Sequence, residues 1–151
     1  GMSEKQQSHD LIRVIEKLNV LYHEMRNEVN KALLPMALSL SKLRVLKVIQ
    51  DTPQCYASSI MDCLNFSSRS VTEALDFLLL AGFITREKES GNRKVKIVRL
   101  TTAGEIILAK AMSERDRKLN ELLSCMNNSD LEMFQDVINR MFISYKSMKG
   151  L

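Results

Sequence analysis

Between Asp10 and Leu34 the apolar residues Leu11, Val14, Ile15, Leu18, Leu21, Tyr22, Met25, Val29 and Leu33 recur at helical spacing, the signature of one apolar stripe. That spacing predicts a helix over residues 10–34, stopped where Pro35 removes a backbone donor. A second helix is expected over 40–50, with Ser39 as N-cap and Leu43, Leu46 and Ile49 facing inward. Asp51-Thr52-Pro53 closes it. A short helix fits 56–64, and Asn65-Phe66 reads as a tight turn. Residues 68–81 form the next helix, capped by Ser67, with Val71, Ala74, Leu75, Leu78 and Leu79 as its core stripe and Gly82 as its terminator.

At Phe83 the period changes. "FITREKE" and "KVKIVRL" read as two strands of a hairpin joined by Ser90-Gly91-Asn92-Arg93. Helical patterning then returns. Thr102-x-x-Glu105 has the form of a capping box and predicts a helix to about Met126. Ser129-x-x-Glu132 predicts a last helix to about Met148. The expected fold is mainly α with a small β-hairpin, divided into an N-terminal helical region (1–38), a compact middle (39–101) and a C-terminal helical region (102–151).

Charge changes this picture most. Phe83–Leu100 holds six basic and two acidic residues, while the remaining sixteen basic and sixteen acidic residues of the chain cancel, so the whole net charge of +4 sits on the hairpin. Two short helices joined by a tight turn and followed by a basic hairpin are the parts of a winged helix-turn-helix. The second helix opens with Ser67, Ser68, Arg69, Ser70 and Thr72 on the side away from its apolar stripe. Short donors and one forked arginine at a helix N-terminus suit base edges in a major groove. Arg93 and Lys94 at the hairpin tip, with Arg86 and Lys96, would meet phosphate or the minor groove.

The chemistry that composition excludes is equally plain. Five glycines and two histidines supply no phosphate-cradling loop, HExxH motif or Ser/His/Asp order. An enzyme is not expected, nor is a metal or other cofactor. His9 and His23 lie too far apart in sequence to make a ligand pair by spacing alone. Cys55, Cys63 and Cys125 are an odd number without metal spacing, and read as reduced thiols of a cytoplasmic protein. Apolar runs are too short to span a membrane.

The segment "VTEALDFLLLAGFITRE" and the ending "VRLTTAGE" resemble the MarR/SlyA family of winged helix-turn-helix regulators, and the resemblance covers residues 39–108. It implies a homodimer built by the flanking helices, a pseudo-palindromic double-stranded DNA operator, and a repressor answering a small-molecule effector whose binding residues stay unassigned. The apolar stripes of the first and last helices, longer than the middle can cover, independently call for a partner surface. One departure stands out: the family's wing carries Asp-x-Arg where this chain has Asn92-Arg93-Lys94, which leaves the minor-groove residue open between Arg93 and Lys94. Two other readings are a protein-interaction adaptor, suggested by that altered tip and by Glu73 on the recognition helix, and a redox switch through Cys55 or Cys63.

Overall fold

The computed structural model describes residues 3–89 and 91–151, except for the side chains of Asn92 and Arg93. The order of elements is α1 (Glu4–Leu33), a 3-10 turn (Leu34–Met36), α2 (Leu40–Asp51), α3 (Ala57–Leu64), α4 (Ser68–Leu80), β1 (Ile84–Glu89), β2 (Asn92–Leu100), α5 (Thr102–Leu122) and α6 (Asn128–Met148). The fold is mainly helical with one antiparallel hairpin, β1 against β2. Two compact units divide the chain, one running up to Lys118 and the other spanning Leu119–Leu151.

The core of the first unit is assembled from α2, α3, α4 and the hairpin. Leu43, Val45, Leu46, Val48 and Ile49 of α2, Ile60 of α3, and Val71, Leu75 and Leu78 of α4 are buried. Ile84 and Val98 of the hairpin join them, as do Val29 and Leu33 at the end of α1 and Leu108 and Ala111 of α5. Each fully buried leucine or isoleucine contributes roughly 1.5–3 kcal/mol, so the stripes that positioned these helices in the sequence are also what holds them together. Backbone bonding reinforces the join, since Val98 N donates to Cys55 O at 2.8 Å, tying the wing to the loop before α3.

Several boundaries differ from the sequence expectation. Helix α1 starts at Glu4, six residues early, because Ser3 Oγ caps Gln6 N at 3.2 Å. Pro35 is the second residue of the 3-10 turn, a place where its missing N–H costs nothing. Leu79, expected in the core stripe, is exposed on the flank of α4, since Leu75 and Leu78 already fill the inward direction. The hairpin loop is shorter than expected. Glu89 pairs with Asn92, so Asn92 and Arg93 belong to β2, and a register shift falls between Lys88 and Glu89.

Both predicted capping boxes slip. The cap of α5 is Thr101, not Thr102: its Oγ1 accepts from Gly104 N at 3.0 Å and donates to Gly82 O at 2.7 Å. The cap of α6 is Asn127, not Ser129, in a reciprocal box with Asp130: Asp130 N donates to Asn127 Oδ1 at 2.8 Å and Asn127 N to Asp130 Oδ2 at 3.1 Å. Helix α5 ends at Leu122 rather than near Met126.

Two apolar faces are uncovered in the single chain. On α1, Leu11, Val14, Ile15 and Leu21 are exposed. On α6, Leu131, Phe134, Val137, Met141, Phe142 and Tyr145 are exposed, and α6 buries none of its residues. Among the described residues no helix is long and apolar enough to cross a membrane.

Candidate nucleic-acid interface

Helix α4 is presented by its N-terminus. Ser67 is extended (φ −68°, ψ 157°) and its Oγ accepts from Ser70 N at 3.1 Å. The turn that aims the helix rests on Asn65, which adopts the left-handed conformation at φ +54° that asparagine tolerates better than most residues. With Val71, Leu75 and Leu78 held inward, Ser67, Ser68, Arg69, Ser70 and Thr72 are all exposed. All five therefore lie where the sequence placed them.

Arg69 Nε donates to Glu73 Oε1 at 3.1 Å, with the two side chains 88% and 68% exposed. An exposed i,i+4 pair is worth about 0.3–0.5 kcal/mol, whereas an arginine forked onto a guanine discriminates by about 1–3 kcal/mol. So weak a pair leaves Arg69 able to take a stronger acceptor, and it offsets the Glu73 charge.

The wing stands beside this helix. Arg86 on β1 reaches Asp76 of α4 at 3.4 Å, which braces the strand against the helix and leaves the arginine mostly covered. A groove of about 430 Å³ runs between the two elements and the start of α3, lined by Ser58, Thr72, Arg86, Lys94 and Lys96 among others. The hairpin register sets Lys88 directly opposite Lys96. Both are exposed. Like charges facing each other across a strand pair are destabilising, and a polyanion laid along the wing would relieve them. Arg93 shares this strand, but its side chain lies outside the described residues.

Tyr56 was not singled out by the sequence. Its hydroxyl donates to Glu89 Oε1 at 2.9 Å, tying the residue before α3 to the end of β1. That bond, followed by partial desolvation and the Glu89 charge, raises the phenol above its ordinary value of 10.0. Nothing in local sequence links residues so far apart. Gly104, in the "VRLTTAGE" ending, has a steric role: a Cβ there would collide with the Phe83 carbonyl oxygen and lie 2.9 Å from its carbon.

Cys55 is fully buried, and burial, then the neighbouring Cys63, pushes its thiol up from 9.0. That environment disfavours the thiolate a redox switch requires. Among the described residues no cluster of histidine, cysteine and carboxylate side chains could hold a metal ion.

Comparison with known proteins agrees with this geometry. The model of the MarR family matches residues 38–96, a span that holds α2, α3, α4 and most of the hairpin. An uncharacterized HTH-type transcriptional regulator of Bacillus subtilis, YdgJ, is 25% identical over 104 residues, covering 69% of this chain. The chain spans 63% of that relative's length. A solved MarR family transcription regulator superimposes with a TM-score of 0.82 over 97% of each chain at 16% identity. A mutant MarR from E. coli complexed with operator DNA does so with a TM-score of 0.71, at 18% identity over 93% of this chain and 99% of that one. At such identities the two structures speak to the fold alone. The fold is that of a winged helix-turn-helix. The segment that carries it, residues 38–96, is similar to the MarR family.

Proposed function

We propose that the chain is a transcriptional regulator that binds double-stranded DNA as a homodimer, inserting α4 into the major groove and laying the β1–β2 wing along phosphate. The observation that carries this reading is the pairing of an exposed, serine-capped helix start with a groove lined by Arg86, Lys94 and Lys96. The remaining members of the site are Ser67, Ser68, Arg69, Ser70 and Thr72 on α4, together with Arg93. The Lys88–Lys96 juxtaposition supports the wing's part, because it is a built-in cost that an anion removes. Homodimerisation is supported by the exposed apolar faces of α1 and α6; a two-fold pair presents two recognition helices to half-sites of a pseudo-palindromic operator. Repression relieved by a small-molecule effector in the cytoplasm is the regulatory mode that the family resemblance favours.

The test is binding to a duplex enriched from a random pool, against a scrambled duplex, with Arg69→Ala and Lys94→Gln/Lys96→Gln variants. Arg69→Ala should weaken the enriched duplex far more than the scrambled one, by about 1–3 kcal/mol of discrimination. The wing variant should weaken both alike. Equal affinity of wild type for both duplexes, or indifference to all three substitutions, defeats the assignment.

A further inference from the structure

A helix with its side chains is about 10–12 Å across and the major groove is about 12 Å wide, so a seated α4 must face a phosphate strand on each flank. The wing covers one flank. The other is formed by Ser70, Glu73 and Phe77, which recur at helical spacing and line a cleft of about 460 Å³ against Ser39, Ser41 and Lys42 of the α2 start. Lys42 Nζ sits 3.5 Å from the centroid of the Phe77 ring. A ring face holds an ammonium in place without neutralising it, and the half-buried stem has already lost much of its rotamer freedom.

Two further cations converge here. Arg26 Nη2 donates to Ser41 Oγ at 3.0 Å, and the Arg44 guanidinium lies 5.7 Å from the Phe66 ring that closes the cleft. Among the described residues no carboxylate forms an ion pair with Lys42, Arg26 or Arg44 within 4.0 Å. The one acidic residue lining the cleft, Glu73, has its carboxylate bonded to Arg69.

We infer that this cleft is a second phosphate-binding wall, with Lys42 as the contacting cation and Arg26 and Arg44 raising the local potential. The inference rests on the DNA-binding reading above and adds a contact on the flank that the wing does not reach. A helix clamped on both sides is fixed in depth as well as register, which is what phosphate contacts supply to recognition.

Lys42→Met keeps the stem over Phe77 and removes the charge; Lys42→Arg keeps both. Affinities of the full chain for the enriched and scrambled duplexes are measured by fluorescence anisotropy between about 50 and 200 mM sodium chloride, where each lost phosphate contact lowers the slope of log K against log salt by about 0.9. A dimer loses two, so the Met variant should be shallower by about 1.8, and wild type should lose about 12-fold more affinity than the variant over that range. The change should be equal for both duplexes, and Lys42→Arg should restore it. Thermal melting checks that each variant is folded, with Lys42→Gln as the replacement should the Met variant fail. An unchanged slope in a folded neutral variant, while Lys94→Gln lowers it, overturns the second wall and leaves the wing reading standing. If Lys94→Gln and Arg69→Ala are also without effect, both readings fall together.

Discussion

Gly104→Ala should unfold the chain at a lower temperature, although it replaces a poor helix former by the best. In the first turn of α5, alanine in place of glycine would ordinarily gain up to about 1 kcal/mol. Here the added methyl meets backbone. It would collide with the Phe83 carbonyl oxygen and lie 2.9 Å from the Phe83 carbonyl carbon and 3.3 Å from its Cα. That backbone cannot step aside freely, since Phe83 O accepts from Thr101 N and Phe83 N donates to Leu78 O, each at 3.0 Å. Overpacking typically costs about 1–3 kcal/mol, and a rigid backbone neighbour places this case at the upper end. A net loss of about 2 kcal/mol corresponds to a fall in Tm of about 4–8 °C for a chain of this size. Circular dichroism melts of wild type and variant at equal protein concentration measure it, the concentration being matched because association raises Tm. A Tm equal to or above wild type would show that the α5 start does not press on Phe83, and the close approach inferred here would be wrong.

Other substitutions probe other joints. Ala37 adopts φ +56°, a region that costs a residue with a Cβ roughly 1–2 kcal/mol, so Ala37→Gly should be neutral or stabilise by about 0.5 kcal/mol once its larger unfolded-state entropy is counted; a loss of stability in urea denaturation would contradict this. Tyr56→Phe removes the bond to Glu89. Because folding raises the Tyr56 phenol, the native state holds a proton that the unfolded state releases once the pH passes 10.0, so that stabilisation is complete below that pH and fades as pH rises through the folded value. Wild type should therefore lose stability relative to Tyr56→Phe as the pH climbs past 10.0, and parallel pH curves would refute the tether. A thiol-reactive dye should label Cys63 in the native chain and leave Cys55 unlabelled until denaturant is added, as their exposed and buried positions require. Labelling of both at one rate would contradict the burial.

The core of the winged helix was legible because its stripes are dense: Val71, Leu75 and Leu78 allow α4 only one inward direction. Cap positions were less legible for a physical reason. Thr101 and Thr102 are equally good caps by type, and the choice falls to Thr101 because its hydroxyl also finds Gly82 O, a partner that local sequence does not reveal. Asn127 likewise wins over Ser129 because Asp130 can bond back to its N–H. The first turns of α1 were missed because "EKQQSH" carries no stripe at all. In the site, the outward residues of α4 followed from the stripe, while the Lys42–Phe77 and Tyr56–Glu89 contacts join distant segments and become visible only once the chain is folded.

Hydroxyl-radical footprinting of the full chain on its enriched duplex tests the central claim most directly. Two recognition helices in a two-fold pair should protect two segments separated by about 10 base pairs or a multiple of that turn, with flanking protection from the wings that is lost in the Lys94→Gln/Lys96→Gln variant. A single protected segment, or protection that the wing variant leaves intact, would contradict a dimer that reads DNA with α4 and grips it with the hairpin.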